Sequence, residues 1–450
     1  MCCKVSVIGA GVSGKGLALL ARSQGYEVFV SEKKSINDET KKLFTEKNIS
    51  FEEGHSPKVF ECDELLISSG IPPQSEVLIE AERRGVKMTG ELDFTVPRIF
   101  TENLVCVTGS NGKSTVTSLI GHILTKAGLK TGTGGNLGTA SSTFTRESFD
   151  AVVLELSSFQ LARATENLRA RVGIITNLAP DHIDWHGSYG AYVEAKSRVL
   201  TLRSPDGWGI IQDRDHDTLR PSGKIIVLTW NSKPEHETDG FISMGESEAT
   251  LTINGMRSTL FKYNDTTLIG THNLENVAMS LCAVKLLGVE IDSKVESLLD
   301  GFRPLPHRCE DAGVLDGVNY VDDSKGTNVA ASVTAMKSIK GRKIIILGGQ
   351  GKGEDYEPLA KAVKEECDYA VLIGEEAGKI QKVLEAEGYE KFKAVSTMEE
   401  AVDVSQSLAK PGMFVLLSPA CTSWDMYKSY KARGEHFCRI VREKIEKSKQ

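Results

Sequence analysis

The chain has 450 residues, 40% of them hydrophobic and 26% charged, and this length exceeds what one hydrophobic core sustains, so two or three domains of ordinary size are expected. The composition excludes disordered and fibrous classes, and the formal net charge of −7 argues against broad nucleic-acid or membrane-surface binding. Nine cysteines without a Cys-x-x-Cys pair read as reduced, mostly buried side chains, and an opening run too short for a signal peptide or a membrane span leads to the expectation of a cytoplasmic protein.

Residues 4–8 (KVSVI) form a β-branched run, followed by Gly9-x-Gly11-x-x-Gly14, a helical stretch ending at Gly25, and a second strand, YEVFV, that leads to Ser31 and Glu32. This is a βαβ opening with a pyrophosphate site at a helix N-terminus, compatible with a dinucleotide or with a nucleotide-diphosphate sugar. The rhythm continues through ELLISSGIPP, and ELDFTVPRIF supplies a link near residues 92–100.

A new strand, LVCVT, then meets Gly109-Ser110-Asn111-Gly112-Lys113-Ser114-Thr115 and an amphipathic helix carrying Val116, Leu119, Ile120, Ile123 and Leu124. Glycines let backbone N–H groups face an anion, the lysine adds positive charge, and the following hydroxyl is placed for Mg²⁺. The loop is a shortened variant, because the position of the usual first glycine is Val107. Glu155 closes the strand AVVLE, where its carboxylate either completes an Mg²⁺ shell with Ser114 or is a plain strand-end charge. The segment NLAPDHIDWH gathers Asp181, His182, Asp184 and His186, but zinc is disfavoured for want of a third spaced ligand.

Ser188 is a helix cap for GAYVEAKSRVL, on which Tyr189, Tyr192, Val193, Lys196, Val199 and Leu200 share one face. On the residues alone, Lys196 lays its stem on that face and carries its ammonium to water. Short alternating runs between residues 204 and 270 predict a small β-rich insert. GFRPLPHR reads as a second link, and the five runs VNYV, KIIILGG, YAVLIG, FKAVS and MFVLLS predict a further α/β unit.

With GSNGKST, ELSSFQL, NLAPDH, AYVEAK, HNLENV, DDSKGTNV, GGQGKG and LSPACTSWD in one order, the sequence resembles the Mur ligase family over essentially its whole length. The resemblance implies a Rossmann-like UDP-sugar-binding domain (1–97), a central P-loop ATPase-like domain (98–303) and a mobile Rossmann-like amino-acid-binding domain (304–450). ELSSFQL, DSKGTN and LSPACTSWD are similar to the members that join D-glutamate to UDP-N-acetylmuramoyl-L-alanine. ATP, two Mg²⁺ ions and a CO₂-derived carbamate on Lys196 are then expected, with the protein acting as a monomer.

By this resemblance Gly9, Gly11, Val12, Ser13, Ser31, Glu32, Ser69, Gly70, Asn136 and His182 face the UDP-sugar substrate. Gly109–Thr115, with Lys113 central, take the ATP phosphates, joined by Asn273, Asn276, Arg308, Asp323 and Lys325. Ser114, Glu155, His182 and carbamylated Lys196 are implied metal partners. Thr327, Lys352, Ser423 and Tyr430 are implied for D-glutamate, while Gly326 stands where the family carries a small alanine. The alternatives are another Mur-type or folylpolyglutamate-type ligase and, more distantly, a non-catalytic nucleotide-binding protein.

Overall fold

The computed structural model describes residues 3–165, 168–266, 268, 270–291, 294–302 and 306–448. Cys2, the middle of the second expected link (303–305) and the side chain of Asp184 lie outside the described residues. The eight described cysteines are free thiols.

The chain is α/β with three sheets. The first contains β1 (Lys4–Ile8), β2 (Glu27–Glu32), β3 (Ser50–Glu53), β4 (Glu64–Ile67) and β5 (Met88–Gly90). They lie in the order β3-β2-β1-β4-β5 and are all parallel, which is the doubly wound arrangement expected of the opening βαβ pattern.

The second sheet has nine strands. These are β6 (Leu104–Thr108), β7 (Thr131–Gly135), β8 (Ala151–Glu155), β9 (Val172–Ile175), β10 (Trp208–Gln212), β11 (Ile225–Thr229), β12 (Gly240–Met244), β13 (Glu248–Ile253) and β14 (Met256–Lys262). Their order is β14-β13-β12-β11-β10-β9-β6-β8-β7, parallel from β7 to β12 and antiparallel at the β13–β14 edge. The β-rich stretch of the sequence is therefore continuous with the central sheet. GWGII and KIIVLTW become buried parallel strands, whereas the alternating ATLTI and STLFKY runs suit an edge with one wet face.

Helix Lys113–Lys126 buries Val116, Leu119, Ile120, Ile123 and Leu124, each fully. Removing each such side chain from water is worth about 1.5–3 kcal/mol. The stretch ELDFTVPR does not run as an exposed linker. It forms a helix, Glu91–Thr95, and a 3₁₀ turn, Val96–Arg98. Phe94 enters the core of the first sheet, while Leu92 and Val96 enter that of the second. The first two sheets consequently belong to one compact unit, Met1–Thr266 with Glu275–Phe302.

The second unit comprises Thr267–Leu274 and Arg303–Gln450. Its sheet holds β15 (Glu310–Leu315), β16 (Val318–Asp322), β17 (Lys343–Leu347), β18 (Tyr369–Ile373), β19 (Phe392–Val395) and β20 (Phe414–Leu417). The order is β15-β16-β20-β17-β18-β19, with β15 alone antiparallel. The five predicted runs are β16 to β20. Among the described residues no helix is long and apolar enough to cross a membrane.

Candidate active site

In the first unit the glycine-rich loop after β6 is shaped by its neighbours. Gly109 has φ +143°, and a Cβ there would stand 2.0 Å from Thr176 Oγ1; Gly112 has φ +82°, and a Cβ would stand 2.6 Å from Asn276 Oδ1. Both positions thus require glycine for conformation and for space. Val107, where the longer form of this loop carries glycine, is instead a fully buried residue of β6 paired with Ile174 and Glu155.

The end of β9 holds the loop in place. Ser110 N donates to Asn177 O at 2.9 Å, Asn111 N to Asn177 Oδ1 at 3.0 Å, and Asn177 Nδ2 to Asn111 O at 3.0 Å. Thr176 Oγ1 also donates to Asn111 O. The buried hydroxyl of Ser110 bonds the Tyr192 hydroxyl at 2.8 Å and accepts from Ala179 N at 2.8 Å. Lys113 folds its ammonium back onto Gly109 O and Ser110 O, both at 2.8 Å, so a positive charge sits over a helix N-terminus and its backbone donors. Ser114, the next residue, is buried.

Lys196 lies in this same pocket rather than reaching water. Ser188 caps its helix, Tyr189–Thr201, accepting from Ala191 N at 3.1 Å, and Tyr192, Val193, Val199 and Leu200 bury the predicted face. Lys196 is 2% exposed, donates to Gly109 O at 2.6 Å, and has its ammonium 4.6 Å from the Tyr192 ring centre. Burial drives its pKa well below the usual lysine value. The charge of Lys113 adds to that effect, while Asp181 and Glu155 oppose it. The balance is thereby shifted toward the neutral amine.

Glu155, 3% exposed at the end of β8, accepts from Asn136 Nδ2 at 2.9 Å. His182, with φ 52°, has its Nε2 3.5 Å from Asp181 Oδ2 and meets the Phe159 ring edge-on. His186 turns to Ser158 Oγ at 2.9 Å and stacks on the same Phe159 ring.

At the first sheet, Gly9 has φ +95°, and a Cβ on Gly14 would meet Gly9 O at 1.9 Å. Gly11 caps helix Val12–Ser23, and Val12 is 63% exposed at its start. Ser13 Oγ is 3.4 Å from Ser69 Oγ, Gly70 follows in the turn after β4, and Glu32 accepts from Ala10 N at 2.8 Å. Ser31, buried, donates to Glu52 at 2.7 Å.

In the second unit Asp323 is buried after β16 and accepts from Ser418 Oγ at 2.6 Å. Burial pushes its carboxyl up to about 7, against the opposing effects of that bond and of Arg308. Lys325 holds its ammonium 5.1 Å from the centre of the Tyr430 ring, and Ser324 Oγ donates to Tyr430 O at 2.9 Å. Thr327 is half-buried just before helix Val329–Ser338. The loops carrying Lys352, exposed, and Ser423, buried, are joined by paired backbone bonds between Gln350 and Thr422 at 2.9 and 3.0 Å. Asn273 lies in the first turn of helix Thr271–Leu286, which counts with this unit, whereas Asn276 counts with the first.

Sequence reasoning left Thr176, Asn177 and Tyr192 out of the site. The polar end of the VGIITN strand was a usable signal for the first two, since ligands of open parallel sheets gather at carboxyl ends. His272 was missed as well; burial, aided by Arg308, pushes it down to about 4. Nothing in a single sequence marks that position.

Three family models match the chain: the MurD N-terminal domain at residues 4–77, the Mur ligase middle domain at 107–284, and the Mur ligase glutamate ligase domain at 307–421. A UDP-N-acetylmuramoylalanine–D-glutamate ligase of Pelotomaculum thermopropionicum is 36% identical over 447 residues, 97% of each chain. One of Bacteroides thetaiotaomicron is 32% identical over 98% of this chain and 99% of its own. Among solved structures, a pseudomurein peptide ligase type C of Methanothermus fervidus aligns with TM-score 0.60 at 18% identity, covering 98% of this chain and 100% of its own. The MurF ligase of Thermotoga maritima, in complex with ADP, aligns with TM-score 0.60 at 16% identity, covering 94% and 96%. These two share the fold. The three models follow one another along the chain and the two named ligases match it over nearly its whole length, so the chain belongs to the Mur ligase family.

Proposed function

We propose that this chain is an ATP-dependent amide ligase that adds D-glutamate to UDP-N-acetylmuramoyl-L-alanine in the synthesis of peptidoglycan precursors. Full-length likeness to relatives that bear this activity in their names carries the reading, supported by the phosphate loop lying against Lys196. Domain limits of 1–97, 98–303 and 304–450 divide the work into nucleotide-sugar, ATP and amino-acid binding. A cytoplasmic monomer fits the reading, because residues suited to all three substrates occur on one chain.

Gly109–Thr115 take the ATP phosphates on backbone N–H groups, and Lys113 exchanges its carbonyl partners for phosphate oxygens. Asn273, Asn276, Arg308, Asp323 and Lys325 hold the rest of the nucleotide. Gly9, Gly11, Val12, Ser13, Ser31, Glu32, Ser69 and Gly70 bind the UDP-sugar, whose alanyl carboxylate comes to Asn136 and His182. Thr327, Lys352, Ser423 and Tyr430 receive the two carboxylates of D-glutamate through charge-assisted hydrogen bonds.

The carboxylate attacks the γ-phosphorus of ATP, giving an acyl phosphate and ADP. The D-glutamate amine then displaces inorganic phosphate to form the amide. Such transfers ask the protein for position and charge neutralisation rather than covalent help.

The hydroxyl of Ser114 and the carboxylate of Glu155 are hard oxygen donors of the kind Mg²⁺ prefers, and burial shifts Lys196 toward the neutral amine, the form that takes up CO₂. Ser114, Glu155, His182 and Lys196 as its carbamate would hold the metal, which supplies charge neutralisation between ATP and the incoming carboxylate. Asn136 meanwhile fixes the orientation of Glu155.

The test is phosphate release from ATP and Mg²⁺ with UDP-N-acetylmuramoyl-L-alanine, comparing D-glutamate, L-glutamate and no amino acid. Release only with D-glutamate is expected. Release with a different amino acid would overturn the specificity but keep the ligase, and no release with any acceptor would overturn both.

A further inference from the structure

The carboxyl ends of β10 and β11 carry a second cluster that the ligase reaction does not use. β10 runs into the 3₁₀ turn Asp213–Asp215 and the short helical turn His216–Leu219, while the segment after β11 brings His236 back against them. His236 Nδ1 lies 3.0 Å from Asp213 Oδ1, and its Nε2 lies 3.0 Å from Asp217 Oδ1. The His216 ring stacks on His236 with centres 4.0 Å apart and planes 16° apart. His216 Nδ1 is buried and has no hydrogen-bond partner among the described residues. One ligand atom from each of His216, Asp217 and His236 lies within 4.8 Å of the others.

We propose that His216, Asp217 and His236 form a binding site for a divalent transition-metal ion of the zinc class. Two imidazole nitrogens and one carboxylate oxygen suit Zn²⁺, Co²⁺ or Ni²⁺ rather than Mg²⁺, which takes oxygen donors. Three protein ligands leave a fourth position for water.

The surroundings have the form of a built site. Asp213, 7% exposed, uses one oxygen on His236 Nδ1 and the other on Glu235 N at 3.0 Å. A carboxylate placed behind one imidazole nitrogen fixes the tautomer and directs the other nitrogen outward, which is the usual support of a metal-bound histidine. Tetrahedral ligands at bond lengths of about 2.1 Å stand roughly 3.4 Å apart, so on binding the ligand atoms, within 4.8 Å of one another here, draw closer and the stacked imidazoles tilt to aim both nitrogens at the ion. Asp217, 90% exposed in its side chain, has the freedom to do so.

The other compact grouping, His307 with Glu310 and Asp322, offers no such room. His307 and Asp322 are already 2.7 Å apart, and a Cβ on Gly434 would lie 2.2 Å from the same imidazole nitrogen.

An ion at His216, Asp217 and His236 ties the turn after β10 to the segment after β11. Arg214 in that turn and Trp230 in that segment both meet Glu275, at 3.5 and 2.8 Å. The next residue, Asn276, stands against Gly112 of the phosphate loop. The ion thus acts as a clip on the scaffold behind the nucleotide loop, separate from the catalytic Mg²⁺.

The test uses the full-length protein, stripped of metal with a chelator and titrated with Co²⁺ in the presence of excess Mg²⁺. Visible d–d absorption and calorimetry report binding. One Co²⁺ per chain is expected, with the spectrum lost in His216→Ala and His236→Ala. Asp213→Asn should weaken binding by about 10–100-fold, as for other outer-shell partners. Asp217→Asn alters only an exposed side chain, so it keeps the fold and should still change the spectrum. If wild type takes up no Co²⁺, or if the variants bind with unchanged spectrum and affinity, the proposal is overturned and the cluster is an imidazole held between two carboxylates.

Discussion

Lys196 meets two demands that ordinarily conflict, since an ammonium in an apolar stripe is costly and yet an amine is wanted beside the phosphate loop. Burial eases the conflict by shifting the group toward its neutral form. Between its lowered folded pKa and the ordinary 10.5, the unfolded chain binds a proton that the folded chain does not, so stability rises with pH across that window. Lys196→Met should flatten this rise. It should also cut phosphate release at least about 10²-fold, the scale for removing one electrostatic catalytic group. Its melting temperature at neutral pH should not fall, because methionine fills the same stripe and Gly109 O keeps Lys113 as a donor. A variant that retained full activity would remove Lys196 from the mechanism.

Asp323 has the opposite sign. Its folded carboxyl titrates at about 7 and its unfolded one near 3.8, so between those values the folded chain holds the extra proton. Its contribution to stability is complete below about 3.8 and is lost as pH rises through about 7. Asp323→Asn should therefore show a flatter decline in denaturation free energy from pH 4 to 7; an unchanged slope would refute the assignment. The glycine at 326 has its reason here. A Cβ at that position would lie 2.5 Å from Asp323 Oδ2 and 2.7 Å from Ser418 Oγ, so the family's alanine would force this hydrogen-bonded pair to shift.

Among elements, the helix Thr271–Leu286 owes part of its anchorage to strand ends far away in sequence. Glu275, 9% exposed, accepts from Gln212 Nε2 at 3.1 Å and Trp230 Nε1 at 2.8 Å. Glu275→Ala strips the acceptor from a buried donor, and urea denaturation should show a loss of about 1–3 kcal/mol. The KM for ATP should rise with it, since Asn276 follows directly; a loss of stability with an unchanged KM would separate the helix from nucleotide binding. None of these partners was legible, because a strand-end glutamine and an isolated tryptophan carry no signal of whom they meet. What could be read was local: the phosphate loop, the helix capped by Ser188, and five of the six strands of the last sheet. β15 escaped because EDAGVL has neither the apolar run nor the alternation of a strand. The sequence marks 92–100 as a link, whereas the fold packs it between two cores of one compact unit, and that burial depends on partners that only the fold brings to either side.

At the scale of the whole molecule, each compact unit has its own hydrophobic cores. Val5, Leu17 and Phe44 and, separately, Leu104, Leu154 and Tyr192 belong to the first; Ile345, Leu359 and Leu416, with Tyr320, Ile344 and Phe437, belong to the second. Independent cores predict that calorimetric unfolding is not two-state, with a calorimetric enthalpy exceeding the van't Hoff value. The proposed division of substrates sharpens this prediction. Every residue assigned to the UDP-sugar lies in the first unit and every residue assigned to D-glutamate in the second. A ligand that binds one folded unit stabilises it by about 2.7 kcal/mol at one hundred times its Kd. UDP-N-acetylmuramoyl-L-alanine alone should therefore raise the transition of the first unit and leave that of the second where it was. Calorimetry with and without this substrate decides the point: two transitions of which one moves support the division, whereas a single transition that shifts as a whole means the units unfold as one and the substrate's hold extends beyond the residues assigned to it.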